Sequence, residues 1–103
     1  WTMHRLHRAG LQPVALNYRG VEHLEITSRR IATADSWKDL PEVLAVIKAT
    51  CPGAPIVAVA FSMGGTMLTK YLGEMGHASG ILAAVAISPP LSYVEHMHEL
   101  ERR

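Results

Sequence analysis

The sequence predicts an α/β fold in which helices flank a parallel sheet. Two runs, PIVAVAF and GILAAVAISPP, are apolar at consecutive rather than alternate positions, as strands are when both of their faces are covered. Segments with helical spacing separate the strand-like runs, and the order helix, strand, helix, strand, helix, strand is that of parallel strands joined by helical crossovers. Turn residues bound the strand-like runs: Gly20 follows an upstream run, QPVALNYR, a small-residue stretch around Ser62 follows PIVAVAF, and Pro89-Pro90 stops GILAAVAIS.

Taken in chain order, TMHRLHR places Met3 and Leu6 at helical spacing, and Gly10 stands where a helix over Thr2 to Arg8 would stop. QPVALNYRG then predicts a short strand from Val14 to Asn17. Val21 to Ala34 is polar and without a clean period, so it is expected to be irregular. In SWKDLPEVLAVIKATCPG, Trp37, Leu40, Val43, Leu44 and Ile47 share one helical face, with a stop at Pro52-Gly53. Pro41 fits only if this helix begins near Asp39, with Asp39 as its cap and Glu42 three positions on. The strand Pro55 to Phe61 follows. The next helix stacks Met67, Tyr71 and Met75 beside Leu68 and Leu72; Gly73 weakens it and Gly76 ends it. There is no internal repeat and no low-complexity tract.

Composition narrows the function classes. A net charge of +1 over 103 residues, with both signs interspersed, does not suggest a nucleic-acid partner. The single cysteine, Cys51, excludes an internal disulfide framework and is expected to be a small packing residue. The apolar runs reach about eight residues, far short of the ~20 that span a bilayer, and no signal peptide is recognisable. An intracellular setting without a membrane-spanning segment in this chain is the expectation. G-x-G-x-x-G and G-x-x-x-x-G-K-[ST] are both missing, and no cofactor is predicted.

Chemistry concentrates at Ser62. Ala60-Phe61-Ser62-Met63-Gly64 is a small-x-Ser-x-small pattern, with Gly65 after it. Where a serine is turned sharply between a strand and a helix, its neighbours two positions away approach its backbone, and side chains larger than a methyl would collide. Alone the pattern arises by chance in roughly a third of chains this long; an apolar strand directly before it and an amphipathic helix directly after remove most such accidents. The same turn would aim the backbone N–H of Met63 at the space above Ser62, where an oxyanion would develop. The competing structural reading is that Ser62 simply caps the following helix.

Other candidates have simpler readings. His4, His7 and His23 read as surface residues, as do His77, His96 and His98; the last two are two apart and would not share a helical face to ligate a metal. No metal site is predicted. Asp35 and Asp39 lie near a helix start, where they favour the macrodipole. The Met63, Met67, Met75 stripe could line an acyl pocket, but at helical spacing it reads first as core filler.

AFSMGGTMLTKYLGEMG, LNYRG upstream and TSRRIATADSWKDL between them resemble the α/β-hydrolase fold, and within it the abhydrolase family of lipases and phospholipases of the ABHD1/ABHD3 type. The resemblance covers almost the whole chain in matching order and spacing. It implies that Ser62 is the nucleophile, that Met63 gives one oxyanion N–H, and that the substrate is a lipid ester. Ala60 stands where the family usually has glycine, and a methyl still meets the steric demand. The family's acid and histidine lie far downstream, whereas only about forty residues follow Ser62. The second oxyanion donor would come from before residue 1, and any membrane association from a segment outside this chain. The resemblance also places an upstream strand in space between Val14–Asn17 and Pro55–Phe61, which leaves the first strand without its neighbour. The chain opens on Trp1 and closes on HMHELERR. Residues 1–103 are therefore expected to be a partial α/β-hydrolase domain, truncated at both ends, from a serine esterase acting on lipids. The rival reading is a catalytically incomplete, hydrolase-like chain that serves as a binding module.

Overall fold

The computed structural model describes residues 2–21, 25, 27, 29, 32–92, 98 and 100–102. They divide into two compact units, residues 1–32 and residues 33–103.

In the first unit, helix α1 runs over Thr2–Arg8. Its end is set by backbone geometry: Gly10 adopts φ +83°, its N–H bonds to the His7 carbonyl at 3.0 Å, and the Leu11 N–H reaches back to Leu6 at 3.1 Å. These are the paired bonds that close a helix on a left-handed residue. A turn with Gly20 at φ +71° follows, closed by Val21 N–H donating to the Tyr18 carbonyl at 3.3 Å. Between these turns the structure corrects the expectation of a strand from Val14 to Asn17: residues 11–18 take no regular secondary structure. A strand is a property of a pair, and a β-like sequence without a ladder partner has nowhere to direct its alternating N–H and C=O groups. His23 lies outside the described residues.

The second unit carries the sheet. A 3₁₀ segment, Ala34–Asp39, opens it with a reciprocal cap in which Asp35 N–H donates to Thr33 Oγ1 at 3.3 Å and Thr33 N–H donates to Ser36 Oγ at 3.0 Å. It runs into α2, Leu40–Thr50. Asp39 stands at the expected boundary but makes no side-chain cap, because its backbone is already helical at φ −81°, ψ −19° and the preceding 3₁₀ turn flows through it. The apolar face read from sequence is the one turned inward: Leu44 is buried and Trp37, Leu40, Val43 and Ile47 are half-buried, while Val46 on the other face is exposed. Cys51 ends α2 as a half-exposed cap rather than a core residue, and its N–H donates to the Ile47 carbonyl at 2.8 Å.

Strand β1, Val57–Phe61, leads to helix α3, Met63–Met75, and a 3₁₀ turn over Gly76–Ser79 leads to β2, Ala83–Ile87. The two strands pair in parallel, Val57 opposite Ala83 through Phe61 opposite Ile87. With α3 as the crossover this is a β-α-β unit, the building block of the predicted class. Its core is α3 itself: Met67, Leu68 and Tyr71 are all buried, as the stack at i and i+4 requires. Tyr71 is the most deeply buried of these at 2% exposure, and its hydroxyl donates to the Ser79 carbonyl at 2.6 Å. That bond ties the end of α3 to the turn that launches β2.

The expectation that both sheet faces are buried is corrected. Only the face bearing Ala58 and Ala60 on β1 is half-covered, while Val57, Val59 and Phe61, with Val85 and Ile87 opposite, remain exposed. The small residues account for the difference. α3 approaches the strands where side chains are no larger than a methyl, and among the described residues of this unit no second helix covers the branched side chains.

Two measurements check this account. Tyr71→Phe removes the donor and strands a buried carbonyl, so the full-length protein should lose about 1–3 kcal/mol of stability in urea titration. The exposed Asp35 accepts a hydrogen bond from Lys38 at 3.3 Å and lies 3.6 Å from Lys70 on α3. The Lys38 hydrogen bond and charge, with Lys70 behind them, hold its carboxyl below the ordinary 3.8. A depressed carboxylate stabilises the fold above its ordinary pKa and loses that contribution as pH falls through the lower folded value. NMR titration should place Asp35 below 3.8, and Lys38→Met should move it upward.

Candidate functional site

The carboxyl ends of β1 and β2 meet at two serines. Ser62 follows the last residue of β1 and Ser88 the last residue of β2. The parallel ladder continues one step past the strand, with Ser62 N–H donating to the Ile87 carbonyl at 2.9 Å. From there the chain turns at once into α3, whose first hydrogen bond runs from Thr66 N–H to the Ser62 carbonyl at 3.2 Å.

The turn is sharp because Ser62 adopts φ +50°, ψ −126°. This lies outside the basins open to ordinary L-residues, and holding a non-glycine residue there costs about 1–3 kcal/mol. A serine acting as an ordinary helix cap sits in the extended region with its oxygen accepting from the second or third N–H of the helix. Ser62 makes no side-chain cap and is exposed. The capping reading of Ser62 therefore does not describe this turn. The first N–H groups of a helix lack intrahelical acceptors, so those of Met63, Gly64 and Gly65 border the serine with no capping oxygen from it. Met63 is half-buried at the first position of α3.

Small residues lie on both sides of the turn. Ala60, two before Ser62, lies half-buried under α3, and Gly65 is buried. A Cβ added at Gly65 would meet Pro89 Cβ at 3.0 Å and Ala86 Cβ at 3.5 Å. One turn into α3, Thr66 Oγ1 donates to the Pro90 carbonyl at 2.9 Å. The start of α3 is thus fastened to the segment after β2 by both packing and a hydrogen bond.

His4, His7 and His77 are exposed, and His98 is a surface residue whose Nδ1 lies 3.9 Å from Glu101 Oε2. His96 lies outside the described residues. Asp35 faces lysines rather than a histidine. Among the described residues no three His, Cys, Asp or Glu side chains come together as a metal site. In the methionine stripe Met67 is core, while Met63 and Met75 are half-buried. Sequence reading missed Ser88, which also has a left-handed φ of +50°. VAVAF-Ser62 and AAVAI-Ser88 both end a strand in serine, but Pro90 stands two places after Ser88 where the pattern around Ser62 has a small residue.

Over 82% of its length this chain is 41% identical to medium-chain fatty acid ethyl ester synthase/esterase 2 of Saccharomyces cerevisiae, covering 19% of that protein. Over 99% of its length it is 30% identical to phospholipase ABHD3 of Mus musculus, covering 26% of that protein. The chain belongs to the α/β-hydrolase family of abhydrolase proteins. A further relative of this abhydrolase chain is monoacylglycerol lipase ABHD2 of Danio rerio, 34% identical over 65% of the chain and 16% of that protein. The abhydrolase chain thus spans about a quarter or less of the length of these relatives. No family model and no solved structure matches it. The parallel pair and its crossover helix are a part of the α/β-hydrolase fold.

The seating of α3 on the strand ends can be tested by volume. Gly65→Val places methyls where Pro89 and Ala86 already lie within contact of a Cβ. It should cost the full-length protein about 1–3 kcal/mol in denaturant unfolding, whereas Gly73→Ala, where a Cβ meets nothing within 4 Å, should be neutral or stabilising.

Proposed function

We propose that this chain carries the nucleophile-bearing part of a serine hydrolase that cleaves carboxylic esters of lipids, with Ser62 forming the acyl-enzyme. The supporting observation is the conformation of Ser62, held at φ +50° between a parallel strand and a helix without spending its hydroxyl on a cap. Three relatives bear the names of an ester synthase/esterase, a phospholipase and a monoacylglycerol lipase, and these names support a lipid ester as substrate.

In this reading Ser62 Oγ attacks the ester carbonyl as its proton passes to a histidine. The carbonyl oxygen becomes an oxyanion and accepts a hydrogen bond from Met63 N–H, whose helix-terminal position also lends the positive end of the α3 dipole. Collapse of the tetrahedral intermediate breaks the bond to the alcohol, which leaves with the proton from the histidine. Water activated by the same histidine then hydrolyses the acyl-serine and restores the hydroxyl. The histidine, its acid partner and the second oxyanion donor are assigned to parts of the protein outside residues 1–103.

The full-length protein should be labelled at Ser62 by a fluorophosphonate probe. Ser62→Ala should abolish labelling and lower ester turnover by at least about 10³-fold, with the unfolding midpoint unchanged or raised. Retained turnover in that variant would overturn the assignment, and an unlabelled wild-type protein would favour the binding-module reading.

A further inference from the structure

Ser88 is the second strained position of the sheet, and nothing in the mechanism above uses it. Its φ of +50° equals that of Ser62, and these are the two non-glycine residues with positive φ among the described residues. Its situation is more constrained still, because Pro89 follows it. A residue before proline is driven toward extended backbone with strongly negative φ, so Ser88 stands against both its own preference and that of its neighbour. Glycine would take this φ without strain.

Position converts this strain into a functional question. The register that pairs Phe61 with Ile87 brings Ser62 and Ser88 to successive places on neighbouring strand ends, and neighbouring strands lie about 4.8 Å apart. The hydrogen bond from Ser62 N–H to the Ile87 carbonyl carries the pairing to the edge of Ser88. Immediately beyond, Pro89 lies in contact range of a Cβ at Gly65, and the Pro90 carbonyl accepts from Thr66. Ser88 is therefore held between two fixed points, the ladder on one side and the prolines seated on α3 on the other. Strain over-determined in this way, beside an exposed serine that is itself strained, marks a residue whose side chain has work at the site.

We propose that Ser88 is a substrate-contacting residue of the Ser62 site, its hydroxyl hydrogen-bonding the ester as the tetrahedral intermediate forms. This rests on the reading of Ser62 as nucleophile. An acyl carbon bonded to Ser62 Oγ sits beside the end of β1, within reach of a hydroxyl on the adjoining strand end. There Ser88 acts from the β2 side while Met63 N–H acts from α3.

The test uses the full-length protein with Ser88→Ala, which keeps Cβ and removes the hydroxyl, and Ser88→Gly, which removes the hydroxyl and the strain together. Each is assayed with a soluble short-chain p-nitrophenyl ester, by fluorophosphonate labelling of Ser62 and by thermal unfolding. Both variants should lose about tenfold in kcat/KM through kcat, with KM little changed. Ser62 should still be labelled, and Ser88→Gly should unfold at the wild-type temperature or above. Wild-type turnover in both variants, or a loss that follows a lowered unfolding temperature, would overturn the role of Ser88 and leave Ser62 standing. Failure of the wild-type protein to be labelled would remove the Ser62 reading and this proposal with it.

Discussion

The hydrogen bond from Ser62 N–H to the Ile87 carbonyl is the constraint on which the rest of the unit depends. Parallel strands cannot be joined by a tight turn, so β1 and β2 must be brought together by a crossover of about a dozen residues or more. Here α3 is that crossover, and its direction is set at its first residue. The bond holds the backbone of Ser62 to β2 after the side-chain pairing of the strands has ended. α3 must therefore begin at Met63, and the chain has one residue in which to reverse from ladder to helix. The left-handed φ of Ser62 follows from this. So does the need for a glycine where α3 passes Pro89, because a helix started so early has no room to rise away from the strand ends.

Strain at one residue persists only if its surroundings resist relaxation. The resistance comes from the far end of α3 as much as from the near end. Thr66 and Gly65 fasten the first turn to Pro89 and Pro90, while Tyr71 fastens the later turns to Ser79, just before β2. The helix is gripped at both ends by the strand it delivers. Relaxing Ser62 would require α3 to move as a body, breaking a buried hydrogen bond and opening the contacts of Met67 and Leu68. Each costs an amount comparable to the strain itself, which is how a small core keeps an unfavourable turn.

What the sequence disclosed and what it concealed divide along the same physical line. Local periodicity and punctuation reported the helices: Gly10, Pro52-Gly53 and Gly76 stop them, and the inward faces of α2 and α3 are those that the 3.6-residue period selects. Non-local properties were less legible. Val14–Asn17 has strand composition but no ladder, and a continuous apolar run states that a strand suits two covered faces without saying what covers them. Asp39 was placed at the boundary but not in its role, since the 3₁₀ turn before it depends on Thr33 and Ser36. At the site, the small-x-Ser-x-small pattern pointed to Ser62 because steric demands around a sharp turn are written in adjacent residues. Ser88 carries no such local pattern, and the proline after it argues for extended backbone. Its strain follows from register and from contacts with α3, neither of which a local reading contains.

The conformation of Ser62 also answers why a strand should end in a serine that does not cap its helix. A capping serine gives its oxygen to an N–H of the first helical turn, so the hydroxyl and the helix terminus satisfy each other and neither is open to a ligand. Turning the serine to φ +50° separates them. The hydroxyl is withdrawn from the first helical turn, and the N–H groups of Gly64 and Gly65, those a capping oxygen would take, are left without it in the same step. In the proposed reaction this leaves Ser62 Oγ uncommitted to the helix and so available to attack, next to the Met63 N–H that would receive the charge. A flexible glycine at this place could take the angle more cheaply but would carry no hydroxyl, and an ordinary capping serine would carry the hydroxyl but commit its oxygen to the helix. The strain of about 1–3 kcal/mol is of the same order as the barrier reduction that one preorganised oxyanion donor provides, about 2.7–4 kcal/mol, so in the proposed reaction a single such hydrogen bond would offset it.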